Sequence, residues 1–386
     1  MAQNHLLIVH GGGPTAVLNA SLYGVIVEAR KHSAIGRIYA AKGGCSGLLA
    51  QRWIDLTDLP KEKLEGLLYT PGSAIGTSRD PLTDEDYSKM PSILQKNGIK
   101  YLLMNGGNGT MNTCEKIYER LWQTEIQIIG IPKTMDNDLA MTDHAPGFGS
   151  AARYMAQSVA EVAADVRSLP IHVEIIEAAG RNTGWVTAAA ALAYTAGVDT
   201  PDLLYMPERP FDEEIFLQDV QRLIDQKKGV VVVASEGLIN KECEPIVKPI
   251  FRVGRATYFG DVSAYLAELV IKKLGYKARG DKPGLLGRAS IPLVSSVDRR
   301  EAILTGAEAV RAIIGGASGK MVGVVRESGC IYSVHTALFD LKDVTRGERI
   351  LPDEFINAKG NGVTQAFIDW CLPLIGESLP HMVSFE

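Results

Sequence analysis

Five cysteines in 386 residues (Cys45, Cys114, Cys243, Cys330 and Cys371) form no CxxC pair and are odd in number. That usage excludes a disulfide framework and suits a reducing compartment. No window reaches the ~18 apolar residues of a membrane span, and the N-terminus carries neither a basic n-region nor a long apolar core. A formal net charge of −5 with interspersed signs gives no basic stripe to draw nucleic acid or a membrane surface. His144 and His335 have no second ligand at helix or hairpin spacing, so both read as structural rather than metal-binding. No internal repeat, low-complexity tract or obvious linker interrupts the chain. These absences leave a cytoplasmic, globular protein whose partners are small molecules.

What is present is core and alternation. At 386 residues the chain exceeds one ordinary core, and ~150 residues per domain predicts two or three. His5–Val9 reads as a short buried strand entering HGGGPTAVLNASLYGVIVEAR, a glycine turn and an amphipathic helix. Strand Gly36–Ala41, helix Asp84–Asn97, strand Tyr101–Asn105, helix Met111–Leu121 and strand Ile126–Ile131 follow. Then come helix Ser150–Val166, strand His172–Ala178, an alanine-rich helix after AGRNTGW, and strand GVVVVASEG. Helices Ala256–Leu274 and Arg300–Ile314 and strand KMVGVVR complete the series. Such alternation predicts an α/β fold with mostly parallel sheets and right-handed crossovers. Two sheets built from interleaved segments are expected. Trp185 is expected to pack beneath the AGRNTGW turn.

The chemistry concentrates between Gly106 and Gly149. One apolar strand enters GGNGT, and the next enters PKTMDND, where Lys133, Thr134, Asp136 and Asp138 fall within six residues. Glycines let backbone N–H groups approach phosphate oxygens, and a following helix N-terminus adds partial positive charge. Two carboxylates two residues apart can divide their work, one taking a proton and the other helping to hold a metal. Together the loops read as phosphoryl transfer. Arg79, on the small-residue loop TPGSAIGTSRDP, can steady charge on a transferred phosphoryl group. Arg181 lies in the AGRNTGW turn, and Glu236 ends a strand where its carboxylate can meet a polyol. Arg279 and Arg288 flank a Pro-Gly turn as an anion clamp.

Taken in order, GGGPTAVLNASL, PGSAIGTSR, GGNGT, PKTMDND, TDHAPGFGSAARY, AGRNTGW, ASEG and VDRRE resemble the phosphofructokinase family. The likeness runs from His5 to about Val325. It implies two Rossmann-like three-layer α/β domains with the active site in the interdomain cleft. Residues 1–147 plus about 292–345 would bind the donor phosphates, and 148–291 plus about 346–386 the sugar. It also implies a homodimer or homotetramer, with magnesium as cofactor. By the same resemblance Asp136 is the base that deprotonates the sugar hydroxyl, and Asp138 is the carboxylate associated with Mg2+. Thr134 hydrogen-bonds near the attacked phosphorus, and Arg79 and Arg181 neutralise the transition state. Gly11, Gly12 and Gly13, with Gly106, Gly107, Asn108, Gly109 and Thr110, cradle the donor. On the acceptor side stand Gly180, Glu236, Arg288 and Arg279, the last donated across a subunit interface.

Several positions depart from the family pattern. Gly109 leaves room for the inner phosphates of ATP, where pyrophosphate users usually place an aspartate. Lys133 is shared by pyrophosphate users, Lys42 stands where many ATP users offer an aromatic ring, and Asn108 replaces a metal-binding aspartate. On the acceptor side Ala179 replaces a methionine, His172 an arginine and Leu285 an aromatic or histidine. The expected activity is ATP-dependent transfer to a sugar phosphate, 6-phosphofructokinase first. Pyrophosphate as donor and another sugar or polyol as acceptor are the alternatives. A catalytically weakened regulatory paralogue is the non-enzymatic one.

Overall fold

Two units, each with its own sheet, emerge in the computed structural model, which describes residues 4–79, 81–170, 172–253 and 256–385. Met1–Ser150 and Arg288–Arg349 form the first. Its strands are β1 (His5–His10), β2 (Ile38–Ala41), β3 (Trp53–Asp55), β4 (Ile99–Gly106) and β5 (Gln127–Pro132). Ala151–Gly287 and Ile350–Glu386 form the second. It holds β6 (His172–Ala178), β7 (Leu203–Tyr205), β8 (Gly229–Ser235), β9 (Pro249–Val253), β10 (Ala256–Phe259) and β11 (Ala278–Asp281). The chain then returns to the first unit for β12 (Lys320–Arg326) and β13 (Val334–Asp340).

The first sheet runs in the order β13-β12-β5-β4-β1-β2-β3. It is parallel from β2 to β12, with β3 and β13 antiparallel at the edges. Successive residues point to opposite faces. Leu6, Ile8, Leu103 and Ile129 therefore meet helices Leu18–Ala29 and Ser296–Ile314. Leu7, Val9, Leu102 and Ile128 meet helices Asp84–Lys96 and Asn108–Tyr118 on the other side. Both faces are covered, which is why these strands read as unbroken apolar runs. Helices Leu18–Ala29 and Ser296–Ile314 touch through glycines. A Cβ at Gly24 would run into the Ile303 carbonyl, and one at Gly306 into that of Ser21.

The second sheet, β11-β6-β8-β7, is parallel throughout. Val173, Ile175, Val230 and Val232 pack against helices Glu213–Gln226 and Val262–Leu274. Trp185, fully buried, opens the short helix Trp185–Ala189 and packs against Trp370 (centroids 4.9 Å apart) and Phe355 (6.0 Å). The C-terminal segment thus completes this unit's core. One expectation is corrected. Residues 256–259, read as the start of a helix, form β10 and pair antiparallel with β9. The β-prone Ala-Thr-Tyr-Phe run ends at Gly260, and the helix begins only at Val262, behind Asp261. No helix among the described residues is long and apolar enough to cross a membrane.

Candidate active site

The carboxyl ends of β1, β4 and β5 bring the two phosphate-type loops of the first unit together. Gly11 donates its N–H to Asn105 O (2.9 Å) and Gly12 to Ser78 O (3.3 Å), which lays the glycine turn beside the Arg79 loop. Gly12 has φ +73°, a left-handed conformation that favours glycine. A Cβ built at Gly13 would lie 2.8 Å from both Arg79 Nη2 and Arg288 Nη1. Lys133 Nζ donates to Gly13 O at 2.5 Å. Three cations therefore converge on one turn. Burial lowers the Lys133 pKa to about 8, helped by Arg79 and Arg288 and opposed by Asp136 and Asp138. Arg288 is depressed by burial and by Arg79, and Asp136 opposes that fall. These mutual effects place Asp136 in the same cluster.

Within PKTMDND, Thr134 Oγ1 donates to Asp138 Oδ1 (2.9 Å) and accepts from the Asp136 N–H (3.1 Å). Lys133 N–H bonds Gly106 O (3.1 Å), tying this loop to GGNGT. The helix expected from Met111 starts earlier, at Asn108, behind Gly107. Asn108, Gly109 and Thr110 thus form its first turn; the Thr110 N–H already bonds Gly107 O (2.8 Å), so the Asn108 and Gly109 amides are the ones suited to an anion. Gly11 and Gly106 both press on the Thr110 side chain, whereas nothing lies within 4 Å of a Cβ at Gly109.

In the second unit, the ends of β6 and β8 bring Ala179, Gly180, Arg181 and Glu236 together. Glu236 Oε1 accepts from Gly180 N (3.3 Å), Ser235 Oγ donates to Gly180 O (2.6 Å), and Gly180 itself has φ +118°. The Arg181 guanidinium lies over the Phe259 ring at 5.2 Å. Glu208, which the sequence did not single out, accepts from Gly184 N (2.8 Å) and Leu351 N (3.0 Å). His172 lies elsewhere. It is the first residue of β6, about 20 Å along the strand from Ala178 at ~3.3 Å per residue. Its Nε2 is 3.1 Å from Glu174 Oε2, and Arg279 pairs in register with Glu174, so His172 and Arg279 form a separate group. Leu285 is exposed beyond β11.

A family model described as phosphofructokinase matches residues 5–313. The chain belongs to the phosphofructokinase family. It is 35% identical over 392 residues to a pyrophosphate–fructose 6-phosphate 1-phosphotransferase of Rhodospirillum rubrum, covering 98% of this chain and 96% of that one. It is 33% identical to a sulfofructose kinase of Alkalicoccus urumqiensis over 369 residues, 94% of this chain and 93% of the other. The crystal structure of a pyrophosphate-dependent phosphofructokinase from Nitrosospira multiformis superimposes with a TM-score of 0.89 at 32% identity. That match covers 100% of this chain and 95% of the other.

Phosphofructokinases generally use Mg2+. Among the described residues no group of three His, Cys, Asp or Glu could hold a metal. Mg2+ needs no such cage, since it takes one or two carboxylates and completes its shell with water and phosphate oxygens. Asp138 fits that role, with Asn108 beside it, whose Nδ2 donates to Asp138 O (3.2 Å). Bound there, the ion would neutralise charge on the donor phosphates.

The family motifs also hide a brace. Asn137 takes φ +54° and accepts from Ala145 N (3.0 Å), while Thr134 N–H bonds Pro146 O (3.1 Å). Asp298, fully buried, accepts from Gly147 N (2.8 Å) and Ser150 N (2.9 Å). Burial raises its pKa against the pull of those bonds. VDRRE was visible as a motif, but nothing local showed which loop its acids would reach.

Proposed function

We propose that this phosphofructokinase-family protein transfers a phosphoryl group from pyrophosphate to a hydroxyl of a ketose phosphate, with fructose 6-phosphate as reference acceptor. The observation that carries the donor is the meeting of Lys133 and Arg79 on the Gly12–Gly13 turn, beside Arg288, which the resemblance gives to the acceptor's phosphate. A small, highly charged anion gains most from cations held this close. Lys42 is exposed and offers no flat apolar surface to an adenine. Likeness to pyrophosphate-dependent relatives supports the same donor.

Asp136 takes the proton from the attacking hydroxyl, and Thr134 orients the acceptor near phosphorus. Arg79 and Arg181 supply positive charge to the transferring group. Glu236 and Gly180 meet the sugar, and Arg279 acts in a neighbouring subunit's site. The departures at Ala179, His172 and Leu285, with the sulfofructose kinase likeness, put a sulfonated ketose on the acceptor panel. ATP is the second reading, favoured by the open space at Gly109.

Initial-rate assays with pyrophosphate, ATP and GTP against fructose 6-phosphate and sulfofructose test the assignment. Turnover with pyrophosphate supports it, and turnover with ATP but none with pyrophosphate overturns the donor. Binding of a sugar phosphate without turnover of any donor would restore the regulatory paralogue.

A further inference from the structure

The loop carrying Asp136 is registered on a second segment, Thr142–Phe148, through the Thr134–Pro146 and Ala145–Asn137 bonds described above. That segment is in turn held by a buried charged cluster. His144, 1% exposed, donates Nδ1–H to Asp143 Oδ2 (2.8 Å) and Nε2–H to Glu301 Oε2 (2.6 Å). Tyr332 donates its hydroxyl to the other oxygen of Glu301 (2.5 Å). Arg326 pairs with Asp143 (3.1 Å) and lies over the Tyr332 ring at 4.9 Å. Asp143 N–H bonds Val324 O (2.8 Å), and Arg349 N–H bonds Asp138 O (2.9 Å). One helical turn before Glu301, Asp298 grips Gly147 and Ser150. Among the described residues, Asp143, Glu301, Asp298, Tyr332, Arg326 and Arg349 stand around His144, from the segment itself, helix Ser296–Ile314, β12 and the chain beyond it.

We propose that His144 is a positioning residue for the reaction, its imidazolium bridging Asp143 and Glu301 so that the Ala145–Gly147 backbone holds the Asp136 loop in register. The inference rests on the reading of Asp136 as the base. A bidentate bridge between two carboxylates fixes the ring in both directions. The backbone beside it then carries that rigidity eight residues back, to Asp136, whose distance from an acceptor hydroxyl sets the rate. Burial alone would strip the proton from this ring. Burial is the largest single influence, but the hydrogen bonds and charges of Asp143 and Glu301 together overcome it and raise the pKa to about 9. A folded-state value above the ordinary 6.5 means the charged bridge is fully formed below that pH and is lost as pH rises through about 9. The effect belongs on kcat, because no residue of the bridge is assigned to substrate.

Glu301→Gln and Tyr332→Phe test this, with Asp136→Ser as the reference. Expected for Glu301→Gln is a kcat about 10-fold lower at neutral pH, with both KM values within about twofold. The alkaline limb of kcat should move to lower pH. Histidine 13C resonances should show one imidazolium titrating near 9 in the wild type and lower in the variant. Tyr332→Phe, which removes one outer bond, should move the same readouts less, and it decides the matter if Glu301→Gln does not fold. An unchanged kcat–pH profile in a folded variant whose histidine resonance has shifted would overturn the inference. If Asp136→Ser keeps its turnover, the assigned base is wrong; if Asp136→Ser is inactive while Glu301→Gln behaves as wild type, only the clamp fails.

Discussion

Lys133 carries a charge into a place that resists it. Its ammonium falls from 10.5 to about 8, chiefly through burial. Between those values the unfolded chain binds a proton that the folded chain does not, so wild-type stability rises with pH across that window. Below about 8 both states are protonated, and the buried charge costs a constant amount of about 3 kcal/mol. Compared with Lys133→Met, the wild type should therefore gain up to about 3 kcal/mol between pH 8 and 10.5, read from urea midpoints of the two proteins. A difference independent of pH would refute the buried charge. If Lys133 meets the donor as proposed, the same variant should lose about 100-fold in turnover with pyrophosphate. Gly109→Asp asks the opposite question. No atom lies within 4 Å of the new Cβ, and a carboxylate in the first turn of helix Asn108–Tyr118 is favoured by about 0.3–1 kcal/mol. Stability should hold, any ATP turnover should drop by about 10-fold or more, and pyrophosphate turnover should stay within a few-fold. The ratio of kcat/KM for the two donors measures it. Lys133, Thr134, Asp136 and Asp138 were legible in the sequence because they share one loop. His144 and Glu301, 157 residues apart, were not.

Elements were legible where their pattern was long. β1, β4, β5, β6 and β8 each run six to eight residues of mostly apolar character between turns, enough to fix their type and the parallel arrangement. β3, β7 and β11, three or four residues long, carry no usable period. β10 was absorbed into the helix that follows it, although Gly260-Asp261 marks the break. The C-terminal helix Gln365–Cys371 gave no functional signal because its role is packing. Phe367 is fully buried, with centroids 5.6 Å from Phe355 and 6.0 Å from Trp370. Phe367→Ala removes the ring from beside the Trp185 cluster and should cost about 3–5 kcal/mol. Urea unfolding gives the magnitude. Loss of the near-UV tryptophan dichroism should accompany it, and an unperturbed signal would show that the cluster holds without this ring.

At the scale of the whole chain, each unit is closed by a segment distant in sequence. The first needs 288–349, which supply helix Ser296–Ile314 and strands β12 and β13. That helix joins structure to chemistry. Ala309, Val310 and Ile313 fill the core beneath β1 and β4, while Asp298 and Glu301 reach the segment that braces the Asp136 loop. Its seat is the glycine contact with helix Leu18–Ala29, and Gly306→Ala sets two effects against each other there. Alanine favours an isolated helix over glycine by about 1 kcal/mol. The added methyl, however, would overlap the Ser21 carbonyl, a backbone atom of another helix that cannot rotate aside. Overpacking of this kind costs about 1–3 kcal/mol, so the steric term should prevail and the variant should be less stable. The shift that makes room also moves Glu301 and Asp298, so kcat should fall together with stability while the KM for the phosphoryl donor stays near the wild-type value. Urea midpoints and saturation kinetics on the same preparation measure both. A more stable Gly306→Ala with unaltered kcat would mean that the two helices separate freely and that the brace does not depend on how closely they meet.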